Sequence, residues 1–106
     1  MKRQPRREEA LARFLKAVAA IPEVMTVLSE PLADGIAITT ILDVEPLDSA
    51  PRSRVYAAEQ ELLTACPGAH VDFRLFNVRE ATEPVHTLVG QDAQPIYQSQ
   101  SVRRAS

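Results

Sequence analysis

GIAITTILD (35–43), VEPLDSAPR (44–52), SRVYAAEQELLTAC (53–66), Pro67-Gly68 and AHVDFRLF (69–76) follow one another without a break. They read in turn as a strand, an acidic turn, an amphipathic helix, a helix stop and a second strand. From Ile36 to Asp43 one face carries Ile36, Ile38, Thr40 and Leu42, and the other carries Ala37, Thr39 and Ile41. Both faces are apolar or threonine, which fits a central strand or one whose second face meets a partner. Over Pro51 to Cys66 the residues Val55, Ala58, Leu62 and Cys66, with Leu63 beside them, make an apolar stripe, and Glu59, Gln60 and Glu61 form the polar side. That spacing predicts a helix. Ser49 is in place to cap its start, Pro51 suits the first turn, and Pro67-Gly68 ends it. From His70 to Val78 the pattern alternates: Val71, Phe73 and Leu75 point one way, Asp72, Arg74 and Phe76 the other.

Working toward the N-terminus, Glu23 to Ser29 is rich in apolar and β-branched residues and reads as a further strand. Glu30 to Gly35 reads as a turn, with Asp34-Gly35 as its hairpin signal. Before it, Leu11, Phe14, Leu15 and Val18 mark one face of a helix over Arg7 to Ala20, stopped by Pro22. Glu8 and Glu9 in its first turn and Lys16 near its end suit the helix dipole. Toward the C-terminus, Pro84 to Val89 reads as a short helix and Pro95 to Gln98 as a short edge strand.

The order α-β-β-α-β(-β) predicts an α+β fold, an open two-layer α/β sandwich that is ferredoxin-like or related, with both helices on one sheet face. The first two strands pair antiparallel, and the helical crossover sets the second and third parallel. The expected organisation is a disordered basic N-terminus at 1–6, a single α/β domain at 7–98 and a disordered tail at 99–106. A chain of 106 residues, 45% hydrophobic and 25% charged, is ordinary globular material. One cysteine, Cys66, makes no internal disulfide, and no secretory signal is recognisable, so a cytoplasmic location is expected. No apolar run reaches the length of a membrane span. The charge is divided: residues 1–16 sum to +4, residues 17–98 to −8, and Arg103 and Arg104 add +2. An acidic body with few aromatics argues against nucleic acid.

The chemistry-bearing residues form no recognisable constellation. His70, His86, Asp43, Glu45, Asp48 and Asp72 are the available metal ligands, and no two have a dedicated spacing. His70 and Asp72 share a strand face, so with Asp43 they make the candidate set for a divalent metal such as zinc; the main reading needs no cofactor. Asp43, Glu45 and Arg52 gather where the second strand turns into the second helix, the place open α/β sheets use for ligands. The same residues serve as a self-neutralising loop. With glycine only at 35, 68 and 90 there is no phosphate-binding loop. A nucleotidyltransferase pattern, a Gly-Ser turn followed by paired aspartates on a strand, is absent. No residue is assigned a catalytic role.

In element order, residues 8–78 resemble the cytosolic C-terminal domain of cation diffusion facilitator transporters. The likeness is carried by the helix before Ile21-Pro22-Glu23-Val24, the hairpin through Asp34-Gly35, ITTILDVEP (38–46), the helix ending at CPGAH (66–70) and VDFRL (71–75). The resemblance implies an open sandwich that dimerises and can bind metal. Of that family's histidine-rich ligand set, only His70 lies in a comparable strand region. The function expected is that of a small non-enzymatic interaction or regulatory domain acting as a homodimer, with an unknown protein partner. The uncovered sheet face, at Thr39, Ile41, Arg74 and Phe76, is its expected interface. A soluble metal-sensing or carrier domain and a small enzyme at the second strand's end are the alternatives.

Overall fold

The structure, a computed structural model, describes residues 7–80 and 89–99. Its first helix, α1, spans Arg7–Ala19 and buries Ala10, Phe14 and Val18 along one stripe. After Pro22 the chain enters β1, Val24–Leu32, which pairs antiparallel with β2, Gly35–Leu42. Then come α2, Ala50–Ala65, β3, Val71–Asn77, and β4, Gln94–Gln98. The sheet order is β3-β2-β1-β4; β2 and β3 are parallel, and β4 adds antiparallel to β1. This is the open α+β sandwich that the sequence predicts. The helix expected at Pro84 to Val89 falls on positions that, Val89 apart, lie outside the described residues, as do 1–6 and 100–106.

The two helices share one sheet face. Phe14, Val18, Val55 and Leu62 close over Val24, Val27, Ile38 and Leu42, and all of these are buried. The Phe14 and Phe73 rings meet at a centroid distance of 5.8 Å. Burying an aliphatic or aromatic side chain of this size contributes about 1.5–3 kcal/mol. This layer therefore dominates the stability of a chain without disulfides.

Three local readings change. First, the expected turn at Glu30 to Gly35 shrinks to Ala33-Asp34, because Leu32 pairs directly with Gly35. Pro31 is tolerated in β1 because β4 has already ended opposite Ser29, where the ladder needs no further N–H. Second, Ser49 precedes α2 as expected but makes no side-chain cap bond; instead Asp48 Oδ1 accepts from Ala50 N at 3.2 Å. The helix stops at Ala65 with Cys66 as its C-cap, and Gly68, with φ of 92°, serves the turn that follows, closed by Ala69 N donating to the Cys66 carbonyl at 3.0 Å. Third, Glu59 is not on the polar side of α2. It is 8% exposed and falls in the buried stripe with Val55, Ala58 and Leu62.

The opposite sheet face also differs from expectation. Register places Ala37, Thr39 and Ile41 of β2 beside Asp72, Arg74 and Phe76 of β3. The β2 residues are nonetheless buried: Thr39 is 4% exposed and Ile41 0%. β2 has a strand on each side, and Gly90 reaches this part of the sheet, donating its N–H to Glu30 Oε1 at 3.1 Å. Thr39 and Ile41 thus offer no surface within the chain, whereas Arg74 and Phe76 stay half-buried at its margin.

Candidate functional site

Because β2 and β3 run parallel, their C-terminal ends lie together. The turn that leaves β2 and the turn that leaves β3 therefore meet. Asn77 closes the gap between them. Its Nδ2 donates to the Val44 carbonyl at 2.8 Å, and its Oδ1 accepts from Val44 N at 3.2 Å and from Arg79 N at 3.3 Å. One buried amide acts here as a short piece of strand, satisfying both peptide groups of buried Val44.

Arginines sit outside this clasp. Arg79 donates from Nε to Asp43 Oδ1 at 2.6 Å and from a terminal nitrogen to Glu45 Oε1. The Asp43 hydrogen bond, ahead of the two carboxylate charges, raises the guanidinium's pKa above its ordinary value. Arg52 reaches from the first turn of α2 to Glu80 Oε1 at 2.9 Å, and to the carbonyls of Pro46 and Asp48 at 3.3 Å each. The acids expected as a reaction site are therefore held by arginines. Exposed ion pairs of this kind contribute about 1 kcal/mol or less each, so the network fixes the loop's shape more than it stabilises the fold. Leu47 at the loop tip is 98% exposed.

The metal set is not brought together. His70 precedes β3 and Asp43 follows β2, and the seven-residue ladder that separates them spans roughly 20 Å. A single ion in one chain cannot bridge that. Asp72 is engaged by Arg74 at 2.9 Å, and no group of three or more His, Cys, Asp or Glu among the described residues is placed to hold an ion. His86 lies outside the described residues. Cys66 is a half-buried free thiol at the end of α2. The hollows described lie away from this cluster. One is a groove of about 500 Å³ between the helices, lined by Ala10, Phe14, Ala58 and Leu62. Another is shallower and lies around Asp34, His70 and Asp72.

Sequence reasoning missed Asn77, Arg79, Glu80 and Glu59. Asn77 had a usable signal: it continues the parity Val71, Phe73, Leu75 onto the core face, where a polar group must find partners. Glu59 likewise sits one helical turn from both Val55 and Leu63. Its Oε2 is buried without a hydrogen-bond partner among the described residues, and burial pushes the carboxyl up to about 7 from 4.5. Between these values the folded chain binds a proton that the unfolded chain releases, so stability falls as pH rises from about 4.5 to about 7 and is level above. Glu59→Gln is expected to stabilise the protein at pH 8 on the order of 2 kcal/mol, and to do little at pH 4. Urea unfolding at the two pH values measures this; an equal effect at both would rule out the titration.

No protein-family model matches the chain, and no curated protein matches it. Among solved structures, it is similar to a chain of the complex of tri-AMPylated Shewanella oneidensis HEPN toxin with MNT antitoxin. The TM-score is 0.53 at 18% identity, covering 93% of this chain and 76% of that one. A second structure from Shewanella oneidensis matches with TM-score 0.51 at 18% identity, over 91% of this chain and 75% of that one. The likeness is one of fold. A zinc form of a MamM CTD variant, a cation diffusion facilitator cytosolic domain, is similar at TM-score 0.40 and 13% identity, over 85% of this chain and 97% of that one. The weak resemblance in element order to that domain is thus present, at a level that says nothing of metal. No described helix is long and apolar enough to cross a membrane.

Proposed function

We propose that the chain is a small non-enzymatic interaction domain that acts as a homodimer. The observation carrying this reading is the state of β3. It is an outer strand, and Phe73, Arg74, Leu75 and Phe76 in succession are left only half-buried. An apolar margin of this kind marks a contact surface. The acids and arginines at the strand ends support the same reading from the other side, since they are committed to one another rather than converging on a hollow. The Shewanella oneidensis chain of similar fold comes from a toxin–antitoxin complex, in keeping with an interaction role.

Sedimentation equilibrium over a range of concentrations, with adventitious metal removed and then with zinc added, tests the proposal. A dimer independent of zinc is expected. A monomer throughout would overturn the reading, and a dimer that forms only with zinc would replace it with the metal-binding alternative.

A further inference from the structure

The two edges of the sheet are treated differently. β4 is five residues long, carries Pro95, and pairs with β1 through an irregular register between Val27 and Leu28. These are the devices that blunt an edge against further pairing. β3 has none of them. It holds seven residues in unbroken register against β2, from Val71 beside Ile36 to Asn77 beside Leu42. Among the described residues, nothing pairs with its outer side.

The sequence on this open edge, Val71-Asp72-Phe73-Arg74-Leu75, has the same pattern of types in both directions. We propose that two copies of the chain join antiparallel along β3, about a twofold axis at Phe73, merging their sheets into one of eight strands. This rests on the homodimeric reading above and supplies its geometry. In that register Phe73 faces Phe73 of the second copy, and Val71 faces the second copy's Leu75. Asp72 faces the second copy's Arg74, and each of the last two contacts occurs twice. The apolar residues extend the layer beneath the helices, and the charged pairs lie together on the other face. Directly opposed side chains of these types stabilise antiparallel pairing.

Neighbouring registers are worse. Centring on Arg74 sets the two arginines against each other. Shifting by one residue sets Phe73 against Arg74 and turns the two helix layers to opposite faces. The ion pair within the chain is also incomplete in the right way. Arg74 uses Nε and one terminal nitrogen on Asp72 Oδ2 alone, at 3.1 and 2.9 Å. Asp72 Oδ1 and the second terminal nitrogen have no hydrogen bond among the described residues and remain available to the second copy.

A five-residue strand pairing by itself buries less than the ~1,200 Å² at which stable interfaces begin. α2 supplies more. Its Ala58, Leu62 and Ala65 turn toward α1, so Tyr56 and Leu63 fall on the flank away from α1. Arg52 reaches Glu80 beyond β3 from that same flank. Tyr56 is 50% exposed there, and pairing along β3 brings it and Leu63 toward the same flank of the second copy.

Charge exchange tests the register. Asp72→Arg and Arg74→Asp should each weaken self-association on the order of tenfold or more, because every dimer then holds two like-charged pairs. The double variant D72R/R74D should restore it, with circular dichroism confirming that all three are folded. In a Cys66→Ser background, Phe73→Cys should oxidise to a disulfide-linked dimer, since opposed strand residues lie roughly 4.5–5.5 Å apart, within disulfide reach. Arg74→Cys should link more slowly. A dimer indifferent to the single reversals, or a double variant as weak as the singles, would overturn pairing along β3 and leave the homodimer reading standing. A wild-type monomer would overturn both.

Discussion

Gly35→Ala is expected to destabilise the protein by about 3 kcal/mol, with the urea midpoint falling accordingly. The reason is a close approach and not backbone freedom, since among the glycines only Gly68 has a positive φ. A Cβ at position 35 would stand 2.0 Å from the His70 carbonyl oxygen, 2.7 Å from His70 Cβ and 2.9 Å from its carbonyl carbon. Two of these three atoms are backbone and cannot rotate away. The chain before β3 would have to move, and that breaks the hydrogen bond from Ile36 N to the His70 carbonyl, now 3.0 Å. That bond starts the parallel pairing of β2 with β3. Two controls sharpen the test. Gly90→Ala meets only the carboxylate end of Glu30, which can swing aside, and should cost little beyond the Glu30 hydrogen bond. Gly68→Ala meets nothing within 4 Å and should cost about 1 kcal/mol through its positive φ alone. If Gly35→Ala proves no worse than Gly68→Ala, the packing argument fails.

Asn77→Ala is expected to destabilise by a similar amount, about 2–4 kcal/mol, because the N–H and the carbonyl of Val44 both lose their partner inside the protein. The effect should appear chiefly as a lower unfolding midpoint at every pH. Asn77→Asp separates the two hydrogen bonds. Its carboxylate can still accept from Val44 N but turns an acceptor toward the Val44 carbonyl. Protonation restores a donor, so this variant should recover stability as pH falls through the folded-state pKa of the new carboxyl, raised by its burial. Unfolding of both variants at pH 4 and pH 8 would show it. If Asn77→Ala lost less than about 0.5 kcal/mol, the Val44 clasp would have no energetic role.

Most of the fold was legible, and for a uniform reason. The stripe of Phe14 and Val18, the alternation from Val71 to Leu75 and the stop at Pro67-Gly68 are short-range patterns, each tied to one backbone geometry. The connection from β2 through α2 to β3 follows from chain handedness and length. Where the reading went astray, a distant neighbour had overridden the local signal. Glu30-Pro31 resembles a turn, but β1 continues through it because β2 is there to pair with and β4 is not. Glu59 resembles an exposed helical residue and is buried by what packs on α2. Thr39 and Ile41 resemble half of an open surface and are buried.

The site follows the same division. Asp43, Glu45 and Arg52 could be placed near one another, because they flank a single connection. The residues that complete the cluster could not. Asn77 lies 33 positions from Val44 and Arg79 lies 36 from Asp43. His70 and Asp43, grouped as ligands by residue type, prove to stand at opposite ends of a ladder. Sequence alone determined the elements, their order and the self-complementary pattern of VDFRL, because these depend on residues a few positions apart. Tertiary structure alone decided that β3 is the unblunted edge among the described residues, that Gly35 must admit the His70 carbonyl and that Arg79 holds the β2 acids. Each of these is a contact between segments more than 30 residues apart, and no local periodicity encodes such a meeting.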